Sequence, residues 1–265
     1  MKNNSVNFIT SFPKSGNTWM RFIINDLLFN NKNQKLDNSI DINKRIPAIN
    51  LADIIDNNIN LDPYLIDKKI FLKTHCSFDQ MKIFPIDKVI ILIRNPLDVF
   101  VSLFNYYGYD EEQKNNLLNF YCLNHTIPIL KKFNYPNWEL HLESWINSGK
   151  DFCIIEYSNL ITDFENQIKK LCKFLDIKID KNKIKFVKEN TSFENLKELE
   201  IKERDKKIKG FFFNPSKPKK KNNFMNKGVV GNYKSYLNIS QQNKIKSSFK
   251  KEFEKYNFLN NTFMT

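Results

Sequence analysis

The chain begins with a short apolar run that leads through a glycine-containing loop into a helical pattern. Residues 6–10 read as a buried strand, and apolar residues recur at helical spacing over about 17–29. Such a strand–loop–helix unit places free backbone N–H groups and the positive end of a helix dipole at the loop. The start of the chain therefore favours folds in which a strand edge carries an anion-binding turn.

Along the rest of the chain, short apolar runs alternate with helical patterns, which predicts an α/β fold. We expect a single domain with a central, mainly parallel β-sheet that is flanked by helices. A P-loop-like phosphate-binding loop would follow the first strand. No linker separates two cores, so residues 1–265 are predicted to be one domain, with 201–232 as a long basic lid. The further predicted strands are 69–73, 88–93 and 152–157. The further predicted helices are 96–107, 112–124, 137–148, 160–175, 180–189, 193–200 and 239–255.

Composition excludes several classes of protein. A hydrophobic content of 41% is too high for a disordered chain. No apolar run approaches the roughly 18–20 residues of a membrane span, and residues 1–6 lead into no signal core. The four cysteines include no C-x-x-C pair, so neither a zinc cluster nor a thioredoxin motif is supported. We expect a cytoplasmic protein with reduced thiols.

The net charge of +13 suggests nucleic-acid binding, with the lysines of 217–221 as the contact surface. However, only four of the 42 basic residues are Arg, and Asn, Ile and Phe are also abundant. This profile is typical of an AT-rich genome, so part of the charge reflects codon bias. A nucleic-acid-binding protein stays open as an alternative, although no nucleic-acid partner is expected.

The first loop has the composition of a phosphate cradle. Gly16 permits a tight turn, Lys14 supplies a charge, and Ser15 and Thr18 supply hydroxyl donors. The order differs from a Walker A loop, in which Lys follows the second Gly, whereas Lys14 precedes Gly16. An ordinary ATPase or kinase is therefore disfavoured, and an atypical nucleotide kinase using ATP and Mg²⁺ stays open as an alternative.

The segment Pro-Lys-Ser-Gly-Asn-Thr-Trp at 13–19 resembles the P-K-S-G-T-T-W signature of the cytosolic-type sulfotransferases. These enzymes use 3′-phosphoadenosine 5′-phosphosulfate (PAPS) as sulfuryl donor, and the loop holds its 5′-phosphosulfate. The resemblance implies donor binding by Lys14, Ser15, Gly16, Asn17, Thr18 and Trp19, with Asn17 standing where the family usually has Thr.

A second segment, Arg-Asn-Pro-Leu-Asp-Val-Phe-Val-Ser at 94–102, resembles the family's R-[ND]-P-x-D-x-x-x-S motif. The resemblance implies that Arg94 and Ser102 grip the donor's 3′-phosphate and that Ser102 steers Lys14. A planar guanidinium at the carboxyl end of a buried strand suits that role. The alternative is a structural ion pair between Arg94 and Asp98.

Lys73-Thr74-His75 resembles the family's K-T-H, whose His is the catalytic base. His75 ends a predicted strand on the ligand edge, and imidazole accepts a hydroxyl proton near neutral pH. By contrast, His125 and His141 are interpreted as structural. The resemblance further implies that Lys73 assists at the sulfuryl oxygens and that Lys14 stabilises charge on the leaving oxygen.

Three further motifs follow in the family's order, and together the motifs cover about residues 6–255. Glu156-Tyr157 resembles the region that approaches adenine. Residues 191–196 resemble T-S-F-x-x-M, whose Phe stacks on adenine opposite Trp19, and 226–233 resemble the R-K-G-x-x-G-D-W loop that covers the donor. The donor-binding residues implied are Tyr157, Thr191, Ser192, Phe193, Leu196, Asn226, Lys227 and Gly228, with Leu196 replacing Met and Asn226 replacing Arg.

The expected activity is in-line transfer of a sulfuryl group from PAPS to a hydroxyl or amine, with no metal required. A protein of this family that has lost catalysis is disfavoured because Lys14, His75, Arg94 and Ser102 are all retained. The acceptor, a small molecule or a glycan, would meet variable loops, and Tyr106, Tyr107 and 211–213 either line an apolar pocket or pack in the core or the lid. Those loops are 30–68, 76–86, 107–138 and 203–225. The family's dimerisation motif is not evident in 240–258, so the oligomeric state is open.

Overall fold

The protein is described by a computed structural model over residues 5–29, 42–55, 69–215 and 222–251. The strands are β1 (Ser5–Ser11), β2 (Lys69–Thr74), β3 (Ile86–Ile93) and β4 (Asp151–Glu156). The helices are α1 (Asn17–Leu28), α2 (Ile42–Arg45), α3 (Leu51–Ile55), α4 (Phe78–Met81), α5 (Pro96–Tyr107), α6 (Glu111–Asn124), α7 (Pro128–Lys132), α8 (Trp138–Ile146), α9 (Tyr157–Thr162), α10 (Phe164–Leu175), α11 (Lys181–Asn190), α12 (Phe193–Asp205) and α13 (Ile239–Ser248).

The four strands form one parallel sheet in the order β2-β1-β3-β4, which confirms the predicted α/β class. Successive side chains point to opposite faces, and both faces are covered. Phe8 and Ile91 belong to a core cluster on one face, whereas Ile9 and Ile90 belong to a cluster on the other. Burial on both faces explains why these strands read as nearly continuous apolar runs.

All four strands run in the same direction, so their carboxyl ends meet at one edge of the sheet. Ser11, Thr74, Ile93 and Glu156 are the last strand residues there. The segments that follow them carry the phosphate loop, His75, Arg94 and Tyr157. In open α/β sheets, ligands bind outside this edge.

Several predicted boundaries need correction. The fourth strand ends at Glu156, and the helix predicted over 160–175 is two helices, α9 and α10, which meet at Asp163. Of the helix predicted over 239–255, α13 covers Ile239–Ser248, and 252–255 lie outside the described residues.

The helix predicted to end at residue 200 continues to Asp205, inside the predicted lid. Leu196, Leu199, Glu200 and Glu203 recur at helical spacing and are all buried. The apolar residues alone do not predict this last turn, because two of the four buried members are carboxylates, which rarely lie in a protein interior. The lysines of 217–221 lie outside the described residues.

Candidate active site

The phosphate loop joins β1 to α1 through two residues with positive φ. Gly16 has φ 102° and precedes the first residue of α1, and Lys14 has φ 69°. A Cβ on Gly16 would lie 2.7 Å from Cδ2 of Tyr157, so the ring of Tyr157 packs directly on the turn. Glycine is therefore required here both by the backbone and by the neighbouring ring.

Asn17 ties this loop to the strand edge. Its Nδ2 donates to Ser11 Oγ at 3.0 Å and to the carbonyl oxygen of Thr74 at 3.3 Å, so the amide side chain joins the ends of β1 and β2. Ser15 differs from the expectation that its hydroxyl meets the donor, because its side chain is buried and is not part of the cavity wall.

Arg94 follows β3 and reaches back to the phosphate loop. Its Nη1 donates to the carbonyl oxygen of Lys14 at 3.0 Å, and the guanidinium carbon lies 4.3 Å from the ring centre of Tyr157. Asp98 is engaged elsewhere: its two oxygens accept the backbone N–H groups of Gly231 at 2.9 Å and Tyr233 at 3.1 Å. The structure therefore shows Asp98 bonded to these N–H groups, and not in the ion pair with Arg94 that the sequence left open as an alternative.

His75 carries its proton on a defined nitrogen. Its Nδ1 lies 2.7 Å from the carbonyl oxygen of Ser11, which can only accept, so Nδ1 is the donor and Nε2 keeps a lone pair. Burial, followed by the positive charge of Lys73, lowers the pKa of His75 well below 6.5. His75 is therefore neutral at neutral pH, which is the state that a general base needs.

Lys73, the penultimate residue of β2, is half-buried beside His75. Burial, and then the charge of Arg21, lower the pKa of its ammonium to about 7. The other two histidines hold the fold together: His141 pairs with Thr10 Oγ1 at 2.9 Å, and His125 pairs with the carbonyl oxygen of Ser248 at 3.0 Å.

Aromatic residues line the end of the site beside α11 and α12. Trp19 donates through Nε1 to Thr191 Oγ1 at 3.4 Å, and its ring centre lies 5.8 Å from that of Tyr157. Phe193, the first residue of α12, packs so closely on Gly228 that a Cβ there would clash with its ring. The wall of this compartment is therefore flat and aromatic.

Residues 206–215 and 222–231, which we term the covering segment, follow α12, and part of 222–231 lines the cavity. Two buried carboxylates of α12 hold its backbone. Glu203 accepts the N–H groups of three consecutive residues, and Glu200 accepts those of Phe224 and Met225 at 2.6 and 2.8 Å. The three residues bonded to Glu203 are Phe211, Phe212 and Phe213, at 3.1, 2.6 and 3.0 Å.

The aromatic run 211–213 is predicted either to line a pocket or to pack against the protein, and the structure shows packing for Phe211 and Phe212. The rings of Phe211 and Phe212 lie 4.9 and 5.8 Å from that of Phe22, against a small core cluster that includes Leu196. In contrast, Tyr106 and Tyr107 line the cavity.

One cavity of about 1210 Å³ unites these parts. Its wall includes every residue predicted for the site except Ser15: Lys14, Gly16, Asn17, Thr18, Trp19, Lys73, His75, Arg94, Ser102, Tyr157, Thr191, Ser192, Phe193, Leu196, Asn226, Lys227 and Gly228. Within the described part of the chain, no three His, Cys, Asp or Glu side chains form a group that would hold a metal ion.

Comparison with known proteins decides the family. Residues 6–257 match the family described as the sulfotransferase domain. The chain belongs to the sulfotransferase family.

Relatives of this sulfotransferase match it over most of its length. It is 28% identical to mouse sulfotransferase 1B1 over 256 residues, which is 92% of this chain and 81% of the relative. It is 29% identical to cytosolic sulfotransferase 8 of Arabidopsis thaliana over 260 residues, or 89% and 73% of the two chains. None of the helices in the described ranges has the length and apolar character to cross a membrane.

Solved structures show the same fold. The crystal structure of mouse sulfotransferase SULT7A1 complexed with PAP superposes with a TM-score of 0.68 at 20% identity, covering 98% of this chain and 87% of that one. Retinol dehydratase in complex with androsterone and the inactive cofactor PAP superposes with a TM-score of 0.63 at 18% identity, covering 96% and 81%.

Sequence reasoning missed three groups of the site. Arg21 lines the cavity and lowers the pKa of Lys73, but it lies in the middle of an apolar helix pattern. Phe224 also lines the cavity, although it stands in a region without periodicity. The buried carboxylates of Glu200 and Glu203 offered one usable signal, because they continue the apolar spacing of Leu196 and Leu199.

Proposed function

We propose that this sulfotransferase transfers the sulfuryl group of PAPS to a hydroxyl of a small molecule, with His75 as general base. The observation that carries the proposal is the 2.7 Å contact between Nδ1 of His75 and the Ser11 carbonyl oxygen: because a carbonyl only accepts, Nδ1 carries the proton and Nε2 of this cavity-lining residue is left as the proton acceptor. The same cavity contains the phosphate loop and Arg94. A base and an anion cradle thus share one chamber.

The residues present fit the donor. The Nε atom of Arg94 is buried and, among the described residues, has no hydrogen-bond partner, so a guanidinium donor remains for a phosphate. The N–H groups at the start of α1 and the ammonium of Lys14 suit the phosphosulfate. Trp19 and Phe193 suit a purine, because flat aromatic rings stack. Asn226 supplies no charge where the family motif has Arg, which leaves Lys227 as the cation of that loop.

The transfer follows from these placements. Nε2 of His75 takes the proton of the acceptor hydroxyl as its oxygen bonds to sulfur. The bond between sulfur and the bridging phosphate oxygen breaks, and 3′-phosphoadenosine 5′-phosphate (PAP) leaves with the electron pair. Lys14 and Lys73 stabilise the negative charge that develops during this step. Ser102, on α5 in the cavity wall, assists at the 3′-phosphate.

The acceptor compartment favours a small apolar molecule rather than a charged glycan. Tyr107, Leu130, Phe133 and Tyr135 line the cavity, and the ring centre of Tyr135 lies 5.5 Å from that of His75. Burial raises the pKa of Tyr107 and of Tyr135 to about 12, so both phenols are neutral. An uncharged aromatic wall beside the base suits an alcohol or phenol with an apolar body. We further propose a cytosolic location, as the names of the plant relatives indicate for those proteins.

Calorimetry with PAP in the absence of Mg²⁺ tests the donor site. Because Arg94 supplies charge-assisted hydrogen bonds, Arg94→Ala should weaken PAP binding by about 10- to 100-fold. Arg45→Ala is the matched control, since Arg45 binds Asn25 Oδ1 at 3.0 Å and lies outside the cavity wall. Equal affinities for PAP in all three proteins, or tight ATP binding that requires Mg²⁺, would contradict the proposal.

A screen with sulfur-labelled PAPS tests the acceptor. Phenols, sterols, aliphatic alcohols, amines and anionic glycans are offered separately. We expect label on apolar hydroxyl compounds and none in the same reactions with His75→Ala. Transfer only to anionic glycans would contradict the assignment of the acceptor compartment.

A further inference from the structure

The ammonium of Lys14 lies between two aromatic rings. Its Nζ is 4.0 Å from the ring centre of Tyr106 and 3.8 Å from that of Phe224. The two rings also contact each other edge to face, with centres 5.7 Å apart. A cation at the face of an aromatic ring is attracted by the ring's quadrupole, most strongly where water is excluded. We refer to Tyr106 and Phe224 as the aromatic clamp.

Both ends of this arrangement are anchored. The Lys14 carbonyl oxygen accepts the hydrogen bond from Arg94, which fixes the backbone at the base of the side chain. The N–H of Phe224 donates to Oε1 of Glu200 at 2.6 Å, and Glu200 is fully buried. The clamp therefore connects a buried carboxylate of α12, through the covering segment, to the lysine of the phosphate loop.

The aromatic clamp lies where two cavities adjoin. A second cavity of about 320 Å³ adjoins the main one, and Lys14, Ser102, Tyr106 and Phe224 line both. The ammonium thus lies at the boundary between the chamber that contains His75 and the smaller polar chamber beside Ser102. A lysine has a flexible four-carbon stem, so without a restraint its charge would spread over many rotamers.

We propose that Tyr106 and Phe224 are positioning residues that hold the Lys14 ammonium where charge develops during sulfuryl transfer. This proposal rests on the proposed function. The clamp acts through Lys14 and contacts the lysine by its ring faces. It thereby reduces the conformational entropy that Lys14 would otherwise lose in the transition state.

Replacing the ring tests the clamp while preserving bulk. Phe224→Leu should lower kcat about tenfold, with the KM for the acceptor and the Kd for PAP changed less than about twofold. Phe224→Tyr should recover most of kcat because it restores a ring. Phe174→Leu is the matched control: it also removes a ring beside a lysine ammonium, 5.4 Å from Nζ of Lys88, but outside the cavity wall.

A double-mutant cycle decides whether Phe224 acts through Lys14. In a Lys14→Met background, Phe224→Leu should cause no further loss of kcat. If the two losses multiply, Phe224 acts independently of the lysine and the proposal is overturned. A Phe224→Leu protein with wild-type kcat overturns it as well.

Nuclear magnetic resonance separates a failed clamp from a failed function. Protein labelled with ¹³C-lysine should show an upfield-shifted Hε signal for Lys14. The signal is assigned by its loss in Lys14→Met, and we expect it to move downfield in Phe224→Leu. Lack of the upfield shift in the wild type overturns the clamp whatever the turnover. An upfield shift without any transfer from PAPS overturns the proposed function and, with it, the catalytic purpose of the clamp, but leaves its geometry intact.

Discussion

The cavity has two sides that are built in different ways. The strand-edge half, formed by the phosphate loop and by the residues after β2 and β3, is set by strands and helices adjacent to it in sequence. The covering segment lies largely outside helices and strands, and its backbone is bonded to three buried carboxylates, Asp98, Glu200 and Glu203. Regular strands and helices thus form one half of the site, whereas buried carboxylates hold the irregular backbone of the other.

The largest effect on PAP affinity is expected from Gly16→Ala in the strand-edge half. The new Cβ would lie 2.7 Å from Cδ2 of Tyr157 on a backbone with φ 102°, so the turn or the ring of Tyr157 must move. We expect PAP affinity to fall about 100-fold by calorimetry, since strain and overpacking add. Gly149→Ala is the control, because Gly149 has φ 70° but nothing within 4 Å of the added Cβ. Equal losses in the two variants would mean that general destabilisation, rather than a change in the phosphate loop, lowers PAP affinity.

A smaller effect is expected from Asp98→Asn, which weakens the attachment of the covering segment. An amide has one oxygen, so it can accept only one of the hydrogen bonds from Gly231 and Tyr233. PAP affinity should fall about tenfold. Asp176→Asn, a change at an exposed carboxylate that pairs with Lys88, should leave PAP affinity unchanged. If Asp98→Asn binds PAP like the wild type, the covering segment does not depend on this carboxylate.

The pH profile probes the strand-edge half without changing its shape. The pKa of His75 is lowered below 6.5, so its base form persists as pH falls toward that lower value. The pKa of Lys73 is lowered to about 7, so its charge is lost as pH rises. We expect kcat/KM to be level below about pH 7 and to fall above it. Lys73→Arg should remove the alkaline fall and keep kcat/KM level to at least about pH 8.5, because a guanidinium stays charged. An alkaline fall that persists in Lys73→Arg assigns it to another group.

The smallest effect is expected from Thr191→Val at the aromatic end. This change removes the acceptor for Trp19 Nε1, a hydrogen bond of 3.4 Å, while keeping the side-chain shape. A bond of this length is weak, so PAP affinity should fall about twofold, measured by calorimetry. Thr162→Val on α9, whose hydroxyl donates to the Ser158 carbonyl oxygen, is the control. A tenfold loss would mean that Trp19 orientation depends on Thr191.

The difference between the two halves of the cavity explains which parts of the site the sequence predicts. The strand-edge half is predictable because an apolar run, a glycine turn and a helix are local patterns, and Gly16, His75 and Arg94 stand at their junctions. The bonds of Asp98 to Gly231 and of Glu200 to Phe224 join residues more than 20 positions apart. The hydrophobic periodicity of the sequence does not predict hydrogen bonds between residues so far apart. The burial of the Ser15 side chain likewise depends on how the rest of the protein packs around the turn, so the local sequence does not predict it.

We propose His75 Nε2 as the base of the sulfuryl transfer. A comparison of His75→Ala with the wild type, using labelled PAPS and the best acceptor from the screen at pH 7, tests this role. We predict unchanged PAP affinity and a kcat lower by about 10²–10⁴-fold, the usual contribution of a general base. His125→Gln, altered outside the cavity, should keep its turnover. Turnover by His75→Ala within about twofold of the wild type would contradict the account.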